Sequence, residues 1–408
     1  MSGGTHKNTR LAKVRVFNYA RAFWVNRVMG PLKDFKIIEI AGIGPGQFAG
    51  MLMADMGASL VRIARPSNAG TDLGIPARFN LMNRSRPMIE VDLKTTGGRE
   101  LVLDLCADAD AIFEGFRPGV MEQLGLGPDE CMARNPKLVY GRMTGWGQSG
   151  PLADSVGHDA NYIALAGVYA SIGEKGGAPV YPLNLAGDMG GGGVYLVMGM
   201  LAALLEAGKS GQGQVVDAAM VDGAASMTTD IHGLLAAGMW KEERGTNILD
   251  GGAPFVRAYR TLDDKYVSIS PLEARFFKTL LDLLGIEGFS VSDQYDQSKW
   301  GDLQQRFEAI FKTRSRDEWC VIFEGTETCF APVLGLQEAK EHPHNIRRES
   351  FVTIDGISQP APAPRFSRTG SEISSAAGPV CQDIKQVLSD WGASAATLER
   401  WGQSQVPE

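Results

Sequence analysis

One stretch near the start of the sequence limits what this chain can become. Lys36-Ile37-Ile38-Glu39-Ile40 is an apolar run of strand length, and Ala41-Gly42-Ile43-Gly44-Pro45-Gly46 follows it. A helical stretch from Gln47 to Met56 comes next, stopped by Gly57-Ala58. Ser59 to Pro66 then reads as a second strand. A strand, a glycine turn, a helix and a returning strand form the opening of a parallel α/β sheet. The alternation continues with a strand from Pro87 to Leu93, a helix from Thr96 to Cys106, and a short strand Ala111 to Glu114 that ends at Gly115-Phe116-Arg117-Pro118-Gly119. Lys137 to Met143 is another strand, closed by the turn Thr144 to Gly150. Such a pattern predicts a doubly wound, Rossmann-like sheet with ligand-binding loops at the carboxyl ends of its strands.

Downstream the texture changes twice. Gly190 to Gly193 precede a long apolar helix, Val194 to Glu206, and Gln214 to Asp217 reads as a strand returning to the sheet. From Gly251 onward shorter strands (Ala258 to Thr261, Tyr266 to Ser270) mix with amphipathic helices around 274–284, 300–312 and 316–324, as expected for a smaller α+β domain. Pro360-Ala361-Pro362-Ala363-Pro364 reads as a stiff linker, because successive X-Pro units favour extended backbone. The expected organisation is a basic extension over 1–28, a large domain from 29–216 and 362–408, linkers at 217–256 and 350–361, and a small domain at 257–349.

Charge narrows the partners. The chain has 40 Lys and Arg against 47 Asp and Glu. Six of the basic residues and none of the acidic ones fall in 1–28, leaving 34 basic and 47 acidic side chains in the body, a balance of −13. An acidic body does not favour nucleic acid or an anionic membrane, so a polyanionic ligand must be met by a few placed cations. Five dispersed cysteines without a C-x-x-C pair read as reduced thiols, which suits the cytoplasm. The Arg-rich, acid-free start reads first as a solvated extension and also suits a mitochondrial presequence, and it lacks the apolar core of a secretory signal. The longest apolar run, Val194 to Leu205, falls short of the ~20 residues needed to span a bilayer.

Several residues carry chemistry. The turn Gly42-x-Gly44-Pro45-Gly46 at a helix start suits a phosphate, although such turns are more often purely structural. Where a nicotinamide fold places a ribose-binding acid, this chain has Arg62 and Arg65, which fit a phosphorylated ribose as in NADP or coenzyme A. His158, in Gly157-His158-Asp159-Ala160-Asn161-Tyr162, begins a helix and is either a cap or an acid/base group. Asp188 precedes the four glycines, where it either caps the following helix or sits beside a closely approaching substrate. Glu273 begins a helix, ordinarily a matter of dipole complementarity. No His, Cys or carboxylate set has metal-ligand spacing.

These segments together resemble the α-methylacyl-CoA racemases of the family III CoA-transferase superfamily. The likeness runs from about Gly30 to Gly370 and includes Val61-Arg62-Ile63-Ala64-Arg65-Pro66, Arg117-Pro118-Gly119-Val120, Thr144-Gly145-Trp146-Gly147-Gln148, Asn184-Leu185-Ala186-Gly187-Asp188 and Pro364-Arg365-Phe366-Ser367-Arg368. It implies that His158 and Asp188 are the two acid/base groups, and that Glu273, from a partner chain, completes the catalytic set by orienting the histidine. It implies a coenzyme A track along Arg65, Val91-Asp92-Leu93-Lys94, Arg117, Gly157 and Asp159-Ala160-Asn161-Tyr162. It further implies an interlocked homodimer, an acyl-CoA substrate, and epimerisation of 2-methylacyl-CoA thioesters through an enolate without metal, NAD or PLP. The alternative within the superfamily is a CoA transferase with Asp188 as nucleophile. Ala160 stands where an apolar β-branched residue is commoner, 66–83 is longer than expected, and 1–28 has no counterpart. Met189, Met198, Met200 and Met220 are candidates for an adaptable acyl surface, or else core filling.

Overall fold

The computed structural model describes residues 30–66 and 74–404. The extension over 1–28 therefore lies outside the described residues, as does part of the long 66–83 segment.

Six strands form a parallel sheet: β1 (Lys36–Ile40), β2 (Ser59–Ala64), β3 (Met88–Glu90), β4 (Ala111–Glu114), β5 (Val139–Thr144) and β6 (Val215–Ala219). Their order is β3-β2-β1-β4-β5-β6, the doubly wound arrangement in which the winding reverses between β1 and β4. Every strand-level expectation for this sheet is met within one to three residues. The cause is simple. Central strands of a parallel sheet are buried on both faces, so they read as continuous apolar runs.

Crossover helices have recognisable starts and stops. Pro45–Asp55 places Pro in its first turn, where no backbone N–H is needed. Thr95 caps Thr96–Asp108 by accepting the Gly98 N–H at 3.0 Å. Gly211, at φ 78°, ends Tyr195–Ser210 in the left-handed conformation that glycine adopts without strain. On one face of the sheet, Leu101, Val102 and Leu105 pack into a core with Ile38, Val61, Ile112 and Tyr140. The same core takes in Val387, Leu388, Trp391 and Trp401 from helices Ile384–Trp391 and Ala395–Ser404. On the other face, side chains of Leu196 and Met200 would lie 3.0 Å from a β-carbon added at Gly141 of β5, so that glycine admits the helix.

The chain divides into two compact units. One holds the described residues through Val156, then Asp188–Met220 and everything from His344 onward; the other holds Gly157–Gly187 and Val221–Pro343. The second unit contains an antiparallel sheet of β7 (Arg257–Arg260), β8 (Tyr266–Ile269) and β9 (Phe330–Val333). Its core is aromatic, with Phe255, Tyr259, Phe277, Trp300, Phe307, Phe311, Trp319 and Phe323 in mutual contact. This matches the smaller α+β body read from the sequence.

Four details differ from the expectations. Residues 157–187 group with the second unit and not the large one, because Ile163 and Val168 pack against Ala224, and Arg244 donates to the carbonyls of Ala170 (2.9 Å) and Gly177 (3.0 Å). Residues 350–361 are no linker. They form a hairpin of β10 (Phe351–Ile354) and β11 (Ile357–Pro360), with Pro360 paired opposite Phe351. The stretch 217–256 is also largely structured, through the end of β6 and helices Met220–Ser226 and Thr229–Ala236. Finally, the glycine tetrad is helical. Ala186–Val194 is a π-helical run leading straight into Tyr195–Ser210, so the helical segment Leu183–Ser210 is longer than the apolar run suggested and has the length and composition to cross a membrane. It places Leu196 and Met200 in the sheet core.

Candidate active site

In the first unit the candidate ligand residues gather where theory places them, at the carboxyl ends of the parallel strands. The glycine turn follows β1, Arg65 follows β2, Val91–Lys94 follows β3 and Arg117 follows β4. The Val91 N–H donates to the Ala64 carbonyl at 2.8 Å, which sets the Arg65 and Val91–Lys94 segments side by side. Arg65, Asp92, Lys94 and Arg117 are exposed, whereas the side chains of Val91 and Leu93 belong to the core. Along 91–94 a ligand therefore meets Asp92, Lys94 or the backbone. Asp92 also accepts the Lys94 N–H at 3.0 Å, fixing that turn.

Arg62 behaves differently from Arg65. It is buried, ion-paired with Glu39 of β1, and donates to the Gly42 carbonyl at 2.7 Å. Arg86 completes this network, reaching Glu39 Oε2 at 2.6 Å and the Gln47 carbonyl at 3.0 Å. A fully buried carboxylate needs partners of opposite charge. Glu39 recruits two arginines, and both go on to hold backbone carbonyls flanking the glycine turn. Arg62 thus shapes the turn, and the sequence expectation that it meets a phosphorylated ribose is corrected.

Asp188 opens the return of the chain to the first unit, inside the π-helical run. It is consequently no N-cap. A π turn widens the helix by one residue and frequently occurs where function requires a displaced side chain. Asp188 is held against the glycine turn: a β-carbon on Gly44 would stand 3.1 Å from its Oδ2. Gly193 explains part of the tetrad, since a β-carbon there would stand 2.8 Å from the Phe48 ring and 3.0 Å from the Pro45 carbonyl oxygen. The glycines let helix Pro45–Asp55 approach the π-helical run, which brings the turn and Asp188 together.

In the second unit His158 is exposed and immediately precedes helix Asp159–Leu165. Asn161 Oδ1 accepts the His158 backbone N–H at 3.0 Å, and the Tyr162 hydroxyl donates to the Gly157 carbonyl. Asn161 and the buried Tyr162 therefore act on the backbone around His158, a local role distinct from the ligand contact expected of them. Asp159 is also buried, and its Oδ1 lies 2.4 Å from where a β-carbon on Gly187 would stand. Ala160 is half-buried beside it. Glu273 occupies the position before helix Ala274–Leu284, but its side chain makes no capping bond.

The profile of CoA-transferase family III matches residues 32–399. The chain belongs to CoA-transferase family III. This family III chain is 41% identical over 380 residues to a mouse protein named alpha-methylacyl-CoA racemase, spanning 92% of this chain and 97% of that one. Identity to the human protein of the same name is 35% over 381 residues, with the same coverage. Among solved structures, a CAIB/BAIF family protein from Brucella suis superposes with a TM-score of 0.74 at 24% identity, covering 89% of this chain and 99% of that one, and so supports the fold.

One buried carboxylate beside the candidate site carried no signal in the sequence. Glu114 ends β4 as a buried carboxylate, accepts the Phe116 N–H at 2.6 Å and pairs with Arg142 at 3.2 Å, which in turn binds Glu122 at 2.7 Å. It thereby anchors the loop carrying Arg117. Burial, outweighing Arg142, raises its carboxyl to about 7. A cavity of about 510 Å³ nearby is lined by Glu122, Asp129, Glu130 and Asp217, with Arg142 already committed to two carboxylates. That composition is wrong for a phosphate, so the cations at the strand ends remain the better anion site. Of the four candidate methionines, Met200 and Met220 are buried core residues, Met189 is half-buried and Met198 is exposed.

Proposed function

We propose that this protein interconverts the two epimers of 2-methylacyl-CoA thioesters at the α-carbon. The observation that carries the reading is the 41% identity across nearly the whole of both chains to the mouse protein named as that racemase. The placement of Asp188 on a π turn, against a glycine turn at the sheet's switch point, supports it independently.

The thioester carbonyl acidifies the α-hydrogen. One group, His158 or Asp188, removes that proton, and the C–H electron pair moves into the carbonyl to form an enolate. The other group, protonated at the outset, returns a proton to the opposite face as the carbonyl re-forms. One proton leaves C2 and one arrives, so the step needs no electron acceptor, imine or metal. His158 and Asp188 end with exchanged protonation states and serve the reverse direction equally. Arg65, Lys94 and Arg117, exposed at the ends of neighbouring strands, meet the coenzyme A phosphates in this reading. The working unit is a homodimer in which Glu273 of one chain orients His158 of the other.

Incubation of one 2-methylacyl-CoA epimer in D₂O checks the reaction. Deuterium should appear at C2 together with the opposite epimer. The absence of both, with coenzyme A passing to an added carboxylate, would instead make the protein a transferase that uses Asp188 as a nucleophile. His158→Ala and Asp188→Asn should each slow epimerisation by on the order of 10²- to 10⁴-fold, as general acid/base groups do.

A further inference from the structure

Glu273 presents a positioning problem that the second unit solves with two residues. Its carboxylate makes no hydrogen bond or ion pair among the described residues, and although it precedes helix Ala274–Leu284 it does not cap it. Its placement is therefore set by its backbone. That backbone is the strap Ser270-Pro271-Leu272, whose start is tied by the Ser270 N–H to the Cys329 carbonyl at 3.0 Å.

The rest of the strap is gripped from one side. Gln294 Nε2 donates to the carbonyls of both Pro271 and Leu272, each at 2.9 Å. The hydroxyl of the adjacent Tyr295 donates to the same Leu272 carbonyl at 2.6 Å. Gln294 is fully buried, and its Oε1 has no hydrogen-bond partner. A buried acceptor left in that state is destabilising, because it has lost its water without gaining a donor. Methionine would fill the same space without that cost, so the amide is present for its two N–H donors. The gripping segment is itself held: Trp300 Nε1 donates to the Gln294 carbonyl at 2.9 Å, and the Tyr295 ring packs edge-on against Phe255 at 5.5 Å. Burial, and after it the charge of Glu273, raises both the Tyr295 hydroxyl and the Cys329 thiol, which places the carboxylate near those two groups.

We propose that Gln294 and Tyr295 are positioning residues for Glu273, holding the strap that aims its carboxylate. The inference rests on the reading of Glu273 as the group that orients the histidine. A carboxylate that aligns an acid/base group must be held to within about 0.5 Å, and a displacement of about 1 Å lowers rates by on the order of 100-fold.

The test is a set of double-mutant cycles on the full chain, assayed by epimerisation of a single-epimer 2-methylacyl-CoA, with thermal unfolding measured in parallel. Gln294→Met should lower kcat by on the order of 10- to 100-fold with KM changed less than about twofold. In a Glu273→Gln background the same substitution should leave kcat unaltered, because residues acting through one group are not additive. Tyr295→Phe, which removes one oxygen, should show the same non-additivity with a smaller loss and serves if Gln294→Met does not fold. An equal fractional loss in both backgrounds, or a rise in KM alone, overturns the clamp and leaves the role of Glu273 intact. Full activity of Glu273→Gln by itself overturns the role of that glutamate, and the clamp with it.

Discussion

A methyl group on Gly44 would stand 3.1 Å from Asp188 Oδ2, on a backbone with φ of +67°. Both conditions disfavour a side chain, one by crowding and one by conformation. Gly44→Ala should therefore destabilise the fold by about 1–3 kcal/mol and also displace Asp188, lowering kcat beyond what lost stability explains. Melting curves and kinetics on the same preparation check this; a destabilised variant with unchanged kcat would show that the turn does not position Asp188. At this scale the sequence singled out the candidates for the chemistry, since His158, Asp188 and Glu273 stand in recognisable segments. It did not reveal what holds them. Asp188 before four glycines reads as a cap because glycine ordinarily breaks helices, and only the packing of Pro45 and Phe48 onto Gly193 shows why these glycines lie inside one. Arg62 was legible in principle: Glu39, an acid in an otherwise apolar strand, demands a buried counter-charge.

Strands of the parallel sheet were legible to within a few residues because burial on both faces leaves an unbroken apolar trace. The β10–β11 hairpin was not, since its second strand, Ile357-Ser358-Gln359-Pro360, has no apolar run and ends in a residue that cannot donate to a ladder. Between these cases lies β4, whose last residue governs the loop beyond it. Glu114 titrates at about 7, above the ordinary 4.5, so the folded chain holds a proton there that the unfolded chain releases. Its contribution to stability is complete below the unfolded value and is lost as pH rises through about 7. Glu114→Gln keeps an oxygen for the Phe116 N–H and cannot ionise. Its melting temperature relative to the parent should climb between pH 5 and pH 8, and a difference that stays constant over that range would contradict the assignment.

Across the whole molecule, exposed apolar side chains mark surface that a single chain leaves uncovered. Val194, Met198 and Leu205 form one stripe along the π-helical run and its continuation, at helical spacing and 46–69% exposed. A second copy of the chain, in the homodimer proposed above, would cover such a stripe. Light scattering should give twice the 43.9 kDa of one chain. Met198→Glu with Leu205→Glu should shift the mass toward one chain and remove epimerisation, because Glu273 then has no histidine to orient; an active monomer would refute the shared site. The two-body organisation was legible in the change of texture near Gly251, whereas the grouping of 157–187 with the second body depends on long-range packing that no local pattern records.

The first unit also has a history in time. Trp391 donates to the Ser59 carbonyl at 2.8 Å, and Lys36 Nζ of β1 reaches the Gly392 carbonyl at 2.6 Å. The strands made first thus wait for partners made some 350 residues later. At translation rates of ~5–20 residues per second, the part of that sheet face not covered by helix Thr96–Asp108 stays open for roughly 20–70 s while the second unit is synthesised in the interval. The nascent chain should accordingly engage hydrophobic-binding chaperones until the helix carrying Trp391 emerges and closes that face.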